Sequence, residues 1–248
     1  MQVRDKMYPW FRICQFLVRS LFACVGGVRI YGKENLPMKG PVILAPNHMS
    51  NLDPPAIGCM LPRNFQPMAK EELFKVPVLG FLLKSWGVFP VRRGTGDKEA
   101  FQMAIRILES GGLLLMFPEG TRGDGVTMGP INRGICLLAK RGNAQVVPIG
   151  VNGSQVVMPK GAKFPKWHRI TVRLGEPFTL NDIPGESEKE KTTNFAHELE
   201  RRIRALCAQD GLMLKSAFEA SESPECESPA NKAAVQAPAT DESQIPRS

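Results

Sequence analysis

The stretch "GPVILAPNHMSNLDPPAIGCML", residues 40–61, passes from one type of secondary structure to another. Its apolar first part, residues 40–47, is typical of a buried strand. Pro54 and Pro55 then open the apolar segment 54–61, which is typical of a short helix because proline suits the first helical turn. A strand, a polar turn and a helix in this order indicate a βα unit and predict an α/β fold.

The same alternation of short apolar runs and helical patterns continues along the chain, which supports an α/β sheet. Further strands are predicted at 28–32, 64–70, 87–93, 113–120, 144–153 and 168–177. Further helices are predicted at 71–87 in two pieces broken at Pro77, at 96–112, at 132–142 and at 188–209. Three of the strands end in polar clusters: "PNHMSNLD", "FPEGTRGDG" and "PIGVNG". Ligands collect at the carboxyl ends of strands in α/β sheets, so these three ends, from distant parts of the chain, could converge on one cleft.

The first polar cluster contains His48 and Asp53, which cannot meet on one helix because residues five apart point about 140° away from each other. A turn can bring them together, since Asp53 precedes Pro54 and fits the position just before a helix. From there its carboxylate can accept a hydrogen bond from one ring nitrogen of His48 and leave the other nitrogen as a base. A structural histidine remains the alternative at this point. A metal site is disfavoured because His168 and His197 lie far away in the sequence.

The second polar cluster is "FPEGTRGDG", residues 117–125, which follows an apolar strand. Its glycines let the backbone approach an anion closely. Arg122 adds a planar fork that matches phosphate oxygens. The cluster predicts a phosphate-binding loop, with a plain glycine-rich turn as the alternative.

The N-terminal segment 7–25 predicts an amphipathic helix. Arg12, Gln15 and Arg19 share one side, while a set of apolar residues lies mostly opposite: Trp10, Ile13, Leu17, Leu21 and Cys24. A membrane span is disfavoured, because a central arginine costs roughly 2.5–3.5 kcal/mol on insertion. A cleaved signal peptide is disfavoured for the same reason. We expect a helix that lies on an anionic lipid surface, with an ordinary packed helix as the alternative.

The charge of the chain is unevenly distributed. The net charge is +8, yet residues 216–248 carry six acids and two bases, a net −4, so residues 1–215 carry +12. The tail has no apolar period and is predicted to be disordered. We therefore expect a membrane-associating helix at 1–26, one domain at 27–215 and a disordered acidic tail at 216–248. The six cysteines form no CxxC pair, which favours a reducing, cytoplasmic compartment.

Four blocks now show a resemblance: "NHMSNLD" (47–53), "GVFPVRRG" (87–94), "FPEGTR" (117–122) and "VVPIGVNG" (146–153). In this order and spacing they resemble the blocks of the glycerolipid acyltransferases, in the group of 1-acyl-sn-glycerol-3-phosphate acyltransferases. The resemblance implies a central mixed sheet flanked by helices. It also implies a membrane-associated enzyme at the cytoplasmic face that uses acyl-CoA or acyl carrier protein as co-substrate, with no cofactor and no metal.

The resemblance further implies roles for single residues. His48 would be the general base and Asp53 the residue that orients it. The phosphate of lysophosphatidic acid would be bound by Glu119, Gly120, Thr121, Arg122 and Arg92, with Arg93 as a further candidate. Val147, Pro148 and Ile149 would belong to a substrate-binding block.

Two kinds of alternative remain open from the sequence. One is a sibling acyltransferase that acts on glycerol 3-phosphate, another lysophospholipid or an amino-lipid. The other is a non-catalytic protein that binds a lipid surface. Nucleic-acid binding, which the positive charge alone would permit, has no supporting motif. The basic stretch 159–169, which includes Phe164 and Trp167, suits lipid headgroups or an acidic acyl carrier, or is a solvated loop.

Overall fold

The structure, a computed structural model, describes residues 9–75, 80, 88–91, 98–159, 161–162 and 164–218. Seven strands in these ranges form one sheet: β1 (Val28–Tyr31), β2 (Val42–Pro46), β3 (Gln66–Lys70), β4 (Phe89–Val91), β5 (Leu113–Leu115), β6 (Gln145–Asn152) and β7 (Ile170–Leu174). Their spatial order is β1-β7-β6-β2-β5-β3-β4. All neighbours are parallel except β6 and β7, which are antiparallel. The predicted mixed sheet is confirmed.

The helices of the described ranges are α1 (Pro9–Ala23), α2 (Asp53–Gly58), α3 (Lys98–Glu109), α4 (Gly134–Arg141), α5 (Ser154–Val157) and α6 (Glu188–Ala208). Short 3₁₀ turns occur at Lys33–Asn35, Glu71–Lys75 and Leu180–Asp182. Most of the helix predicted at 71–87, including the break at Pro77, lies outside the described residues. The strand predicted at 113–120 is wrong in length, since β5 ends at Leu115 and a turn carries the rest.

The central strand β2 explains the layered core, because its side chains are buried on both faces of the sheet. Ile43 and Ala45 belong to a cluster with α3, α4 and α6 on one face. Val42 and Leu44 belong to a second cluster with α1 and α2 on the other. Parallel strands covered on both faces read as continuous apolar runs, which is how this stretch appears in the sequence.

The neighbours of β2 decide where the polar clusters meet. β2 pairs in parallel with β5 on one side and with β6 on the other. The carboxyl ends of these three strands therefore lie at one edge of the sheet, and the turns that follow them are adjacent. The predicted convergence of three distant segments is confirmed.

Helix α1 lies against the second cluster through Phe22, which is buried. The Gln15 amide nitrogen donates to the carbonyl oxygens of Gly58 and Leu61, at 2.8 and 2.9 Å, and so ties α1 to the end of α2. The sequence pattern placed Gln15 on the solvent side with Arg12 and Arg19. In the structure Gln15 faces the domain instead. A helix-wheel pattern separates faces, but it does not identify the one that packs on the domain.

The segment after α6 packs back onto the domain. Lys215 forms an isolated parallel β-bridge with Thr127. The Met128 N–H donates to the Lys215 carbonyl, and the Lys215 N–H donates to the Val126 carbonyl. Leu214 and Ser216 are buried. The packed part of the chain therefore continues past the domain boundary predicted at 215, to Phe218, while the rest of the predicted tail, 219–248, lies outside the described residues.

Candidate active site

The turn between β2 and α2 is folded around the carboxylate of Asp53. One oxygen, Oδ2, lies 2.8 Å from Nδ1 of His48 and accepts the N–H groups of Met49 and Ser50, also at 2.8 Å. Asp53 is fully buried. Because an ionised carboxylate only accepts hydrogen bonds, this arrangement places the proton of the neutral imidazole on Nδ1 and leaves the lone pair of Nε2 able to accept a proton.

Asp53 is the first residue of α2 and not the residue before it, which corrects its predicted place by one position. Leu52 already has helical dihedral angles, φ −82° and ψ −12°. Pro54 and Pro55 have no N–H groups for a side chain to cap. The carboxylate therefore turns back towards residues 48–50, as the predicted pairing with His48 requires.

The His48 ring lies at the rim of the core. It stacks on Phe117, with ring centroids 3.9 Å apart and an interplanar angle of 29°, and it keeps a small exposed edge. No described residue hydrogen-bonds to Nε2. The nearby Ser50 hydroxyl donates to the carbonyl of Met158 at 2.9 Å, so it is held by the backbone and is not aimed at a substrate.

Glu119 connects the two polar clusters. Its Oε1 accepts the N–H of His48 and its Oε2 accepts the N–H of Gly129, both at 2.8 Å. The Gly123 N–H donates to the His48 carbonyl at 2.8 Å, so both backbone groups of His48 are bonded to the segment 119–123. Burial raises the pKa of Glu119 to about 6, against the two backbone hydrogen bonds, which lower it.

This positioning role of Glu119 was missed by sequence reasoning. Both oxygens are occupied by protein N–H groups, while a phosphate contact by this carboxylate stays a prediction. The available signal was an acid placed among glycines directly after a buried strand, where backbone N–H groups are left without strand partners.

The other predicted phosphate ligands lie in the same turn. Gly120 has φ +69°, a conformation that favours glycine, and Thr121 is exposed. Arg122 is half-buried, and its guanidinium makes no hydrogen bond or ion pair with any described residue. The structure thus brings Gly120, Thr121 and Arg122 beside His48. Arg92 and Arg93 lie outside the described residues.

The fourth block supports the site from the neighbouring strand. The Asn47 side chain donates to the Val151 carbonyl at 3.0 Å and accepts the Val151 N–H at 2.7 Å. This exchange extends the pairing of β2 with β6 up to His48. Val147 and Ile149 are completely buried in the second cluster of the core, so their side chains position the strand.

Comparisons with known proteins now identify the family. A model of the Acyltransferase family matches residues 27–152, just over half of the chain. The chain belongs to the acyltransferase family. The predicted family and enzyme class are therefore confirmed, and the matched range contains the whole His48–Glu119 arrangement.

Individual relatives of this acyltransferase carry a more specific name. The 1-acyl-sn-glycerol-3-phosphate acyltransferase of Bacillus subtilis is 29% identical over 197 residues, which cover 79% of this chain and 96% of the relative. A chloroplastic protein of the same name from Arabidopsis thaliana is 30% identical over 62% of this chain, and the match spans 46% of that longer relative. The solved 1-acyl-sn-glycerophosphate acyltransferase of Thermotoga maritima has a similar fold, with a TM-score of 0.69, 24% identity and coverage of 83% of this chain and 81% of that one.

The geometry of this acyltransferase suits direct transfer without a protein nucleophile. An imidazole oriented by a buried carboxylate can take a proton from a hydroxyl at its free nitrogen. A glycine turn with an arginine that has no protein partner among the described residues adjoins it, and such a turn can hold an anion. Such an arrangement can take a proton from a hydroxyl and hold an anionic group beside it.

Proposed function

We propose that the enzyme transfers a fatty acyl group from a thioester to the sn-2 hydroxyl of 1-acyl-sn-glycerol 3-phosphate and so forms phosphatidic acid, a step of phospholipid biosynthesis. The observation that carries this proposal is the paired His48 and Asp53, with Nε2 open, beside the turn of Arg122. The printed names of the relatives support the acceptor. The donor is acyl-CoA or an acyl carrier protein thioester.

In the proposed reaction, Nε2 of His48 removes the proton of the acceptor hydroxyl while its oxygen attacks the thioester carbonyl carbon. Asp53 stabilises the imidazolium that forms. The tetrahedral intermediate then collapses, the carbon–sulfur bond breaks, and the thiolate takes the proton from His48. General-base help of this kind contributes roughly 10²–10⁴-fold in rate.

The phosphate of the acceptor is placed at the turn of Gly120, Thr121 and Arg122. A bidentate contact with the guanidinium fixes the glycerol relative to His48, which converts binding energy into orientation of the hydroxyl. Arg92 is a further proposed ligand from the second block. An ionised Glu119 repels a phosphate, which favours its positioning role over direct contact at neutral pH.

The proposed acceptor is a membrane lipid, and α1 offers a surface that suits a bilayer. Its outward side exposes Phe16 and Leu21, at 69% and 71%, together with Ile13 and Leu17. Arg12 and Arg19 are also exposed. No helix among the described residues is both long enough and apolar enough to cross a membrane. An interfacial helix whose apolar side enters the headgroup region, with cations beside it, accounts for these exposures.

The test is an assay of the purified enzyme with 1-acyl-sn-glycerol 3-phosphate and each of the two donors. His48→Ala should lower turnover by roughly 10²–10⁴-fold. Ser50→Ala is the control and should keep turnover within about tenfold, since no acyl-serine forms on the proposed path. An acceptor panel with glycerol 3-phosphate, other lysophospholipids and an amino-lipid decides the acceptor, and product from one of these but none from 1-acyl-sn-glycerol 3-phosphate would refute the assignment.

A further inference from the structure

The loop between α5 and β7 exposes two aromatic side chains that the proposed reaction does not use. Phe164 is 81% exposed and Trp167 is 75% exposed. Burying either ring against an apolar surface would lower the free energy of the system. Large aromatic side chains left in solvent on a basic loop are typical of a surface that meets another phase or partner.

The backbone that carries these rings is held in place. The Lys166 N–H donates to the Val157 carbonyl at 2.8 Å, and the His168 N–H donates to the Val25 carbonyl at 3.0 Å. Gly26, at φ +107°, is in such close contact that a Cβ there would lie 2.4 Å from the His168 carbonyl oxygen. The loop that carries both rings is therefore attached directly beside the C-terminal end of α1.

The same loop also adjoins the catalytic turn. The Met158 carbonyl, at the start of the loop, accepts the hydroxyl of Ser50, two residues after His48. The loop thus joins the end of α1 to the edge of the sheet where His48 lies. A surface that covers both α1 and the loop would be adjacent to the site.

The charge of the loop selects the partner. Residues 156–169 contain four Lys and Arg residues and no acid. Of these, Lys166 and Arg169 are exposed, while Lys160 and Lys163 lie outside the described residues. Aromatic rings beside cations match the interface of an anionic bilayer, where rings enter the headgroup layer and cations meet lipid phosphates.

We propose that Phe164 and Trp167 form a second membrane anchor, which acts with α1 to orient the active site towards an anionic bilayer. The inference rests on the proposed function, because a membrane-embedded acceptor gives the orientation its purpose. A single helix contacts the bilayer along one narrow line, so the domain can tilt about that line, and a second contact beside the end of the helix restricts the tilt. A bilayer can cover the apolar side of α1 and the adjoining rings together, which an acidic carrier bound to the loop would not do.

The test measures vesicle binding by the full-length chain, without any turnover. The Phe164→Ala/Trp167→Ala variant should bind phosphatidylglycerol–phosphatidylcholine vesicles roughly tenfold or more weakly than the parent. The matched control is Met38→Ala, which removes an exposed apolar side chain before β2, at the opposite edge of the sheet. It should bind like the parent, and both variants should keep the melting temperature of the parent. Equal vesicle binding by the double variant and the parent would overturn the proposal.

A second measurement separates orientation from chemistry. With a short-chain acceptor dissolved below its micelle concentration, the double variant should turn over like the parent, whereas it should be slower with an acceptor embedded in vesicles. A higher KM for acyl carrier protein with vesicle binding unchanged would assign the loop to the donor and overturn the membrane anchor. If the parent acylates no acceptor, the proposed function fails, and the vesicle measurement still decides the anchor.

Discussion

The carboxylate of Asp53 organises the turn from His48 to Asp53 through one oxygen that accepts three hydrogen bonds. An asparagine can keep this geometry by placing its amide oxygen at the same point, while it removes the negative charge. Asp53→Asn should therefore keep the fold with a lowered melting temperature, because its amide nitrogen would replace the buried Oδ1, which has no hydrogen-bond partner. It should lower kcat by roughly 10²–10⁴-fold, because the imidazolium loses its stabilising partner. Steady-state kinetics together with thermal unfolding check this. A loss of kcat that merely follows a loss of fold would give Asp53 a structural role alone.

Glu119 makes the stability of the enzyme depend on pH. Its pKa is about 6 in the folded chain against an ordinary value of 4.5, because burial disfavours the charged form. Between these two values the folded state holds a proton that the unfolded state has released, so stability falls as pH rises through this window. The free energy of unfolding of the parent should therefore decrease from pH 4.5 to 6 relative to that of Glu119→Gln.

Asp124, in the same loop, supplies the control for this pH dependence. It accepts the N–H groups of Val126 and Thr127, and these bonds lower its pKa below the ordinary 3.8. Its contribution to stability is complete above pH 3.8 and is lost only as pH falls further. Asp124→Asn should therefore show the same slope as the parent between pH 4.5 and 6. If the free energy of unfolding of the parent did not fall between pH 4.5 and 6, Glu119 would be more exposed to solvent than it is in the structure.

The residues of the site differ in how far the sequence determines them. His48 and Asp53 could be paired from local arguments, since their geometry depends on a six-residue turn and two prolines. The hydrogen bonds by which Glu119 positions His48 could not be predicted, because the N–H of His48 lies 71 positions away in the sequence. Contacts of this kind arise only once β2 and β5 are adjacent in the sheet.

At the scale of elements, the segment after α6 is connected to the candidate site through a short series of contacts. Its Lys215 forms a β-bridge with Thr127. Two residues after Thr127, the Gly129 N–H donates to Glu119, which in turn accepts the N–H of His48. Leu214 is buried in this segment, whereas its neighbour Met213 is 76% exposed. Leu214→Ala should destabilise the fold by about 2–5 kcal/mol. Met213→Ala should stay within about 0.5 kcal/mol. Urea unfolding measures both, and equal effects of the two changes would contradict the described packing.

The attachment of α1 offers a second test at this scale. Gln15 holds the helix on α2 through two hydrogen bonds to backbone carbonyls, and Gln15→Ala should cost roughly 1–3 kcal/mol. Ser20→Ala is a control on the same helix, because the Ser20 hydroxyl donates only to Phe16 one turn earlier. Limited proteolysis should release α1 faster from the Gln15 variant than from the Ser20 variant. Equal release would mean that apolar packing alone holds the helix.

Element types followed from the sequence more reliably than element ends. The apolar period placed α3 and α6 within a few residues of their observed bounds. Strand β5 stopped five residues before the predicted end, since Pro118 and the glycines behind it leave the ladder. The orientation of α1 was beyond sequence reasoning as well, because both an apolar side and a side containing Gln15 were available for packing.

At the scale of the whole molecule, the uneven charge makes the proposed membrane binding a balance between two parts of the chain. Residues 219–248 contain all six acids of the tail and carry a net −4, so a chain ending at Phe218 carries +12 in place of +8. The acidic tail should weaken the binding of the basic part of the chain to anionic lipid in two ways. The tail repels the lipid, and it attracts the exposed cations that would otherwise meet the lipid. The shortened chain should therefore bind anionic vesicles more tightly at low salt.

Salt distinguishes this electrostatic balance from apolar burial. Surface charges more than about 8 Å apart are largely screened at physiological ionic strength, so the difference between the two chains should shrink steadily as salt is added. Binding itself should persist at high salt, because burial of the apolar side of α1 and of the two rings of the second membrane anchor does not depend on charge. Vesicle sedimentation across a salt series measures both effects. Complete release of the shortened chain by salt would mean that cations alone hold the enzyme on the bilayer, and that its exposed apolar side chains stay outside the lipid.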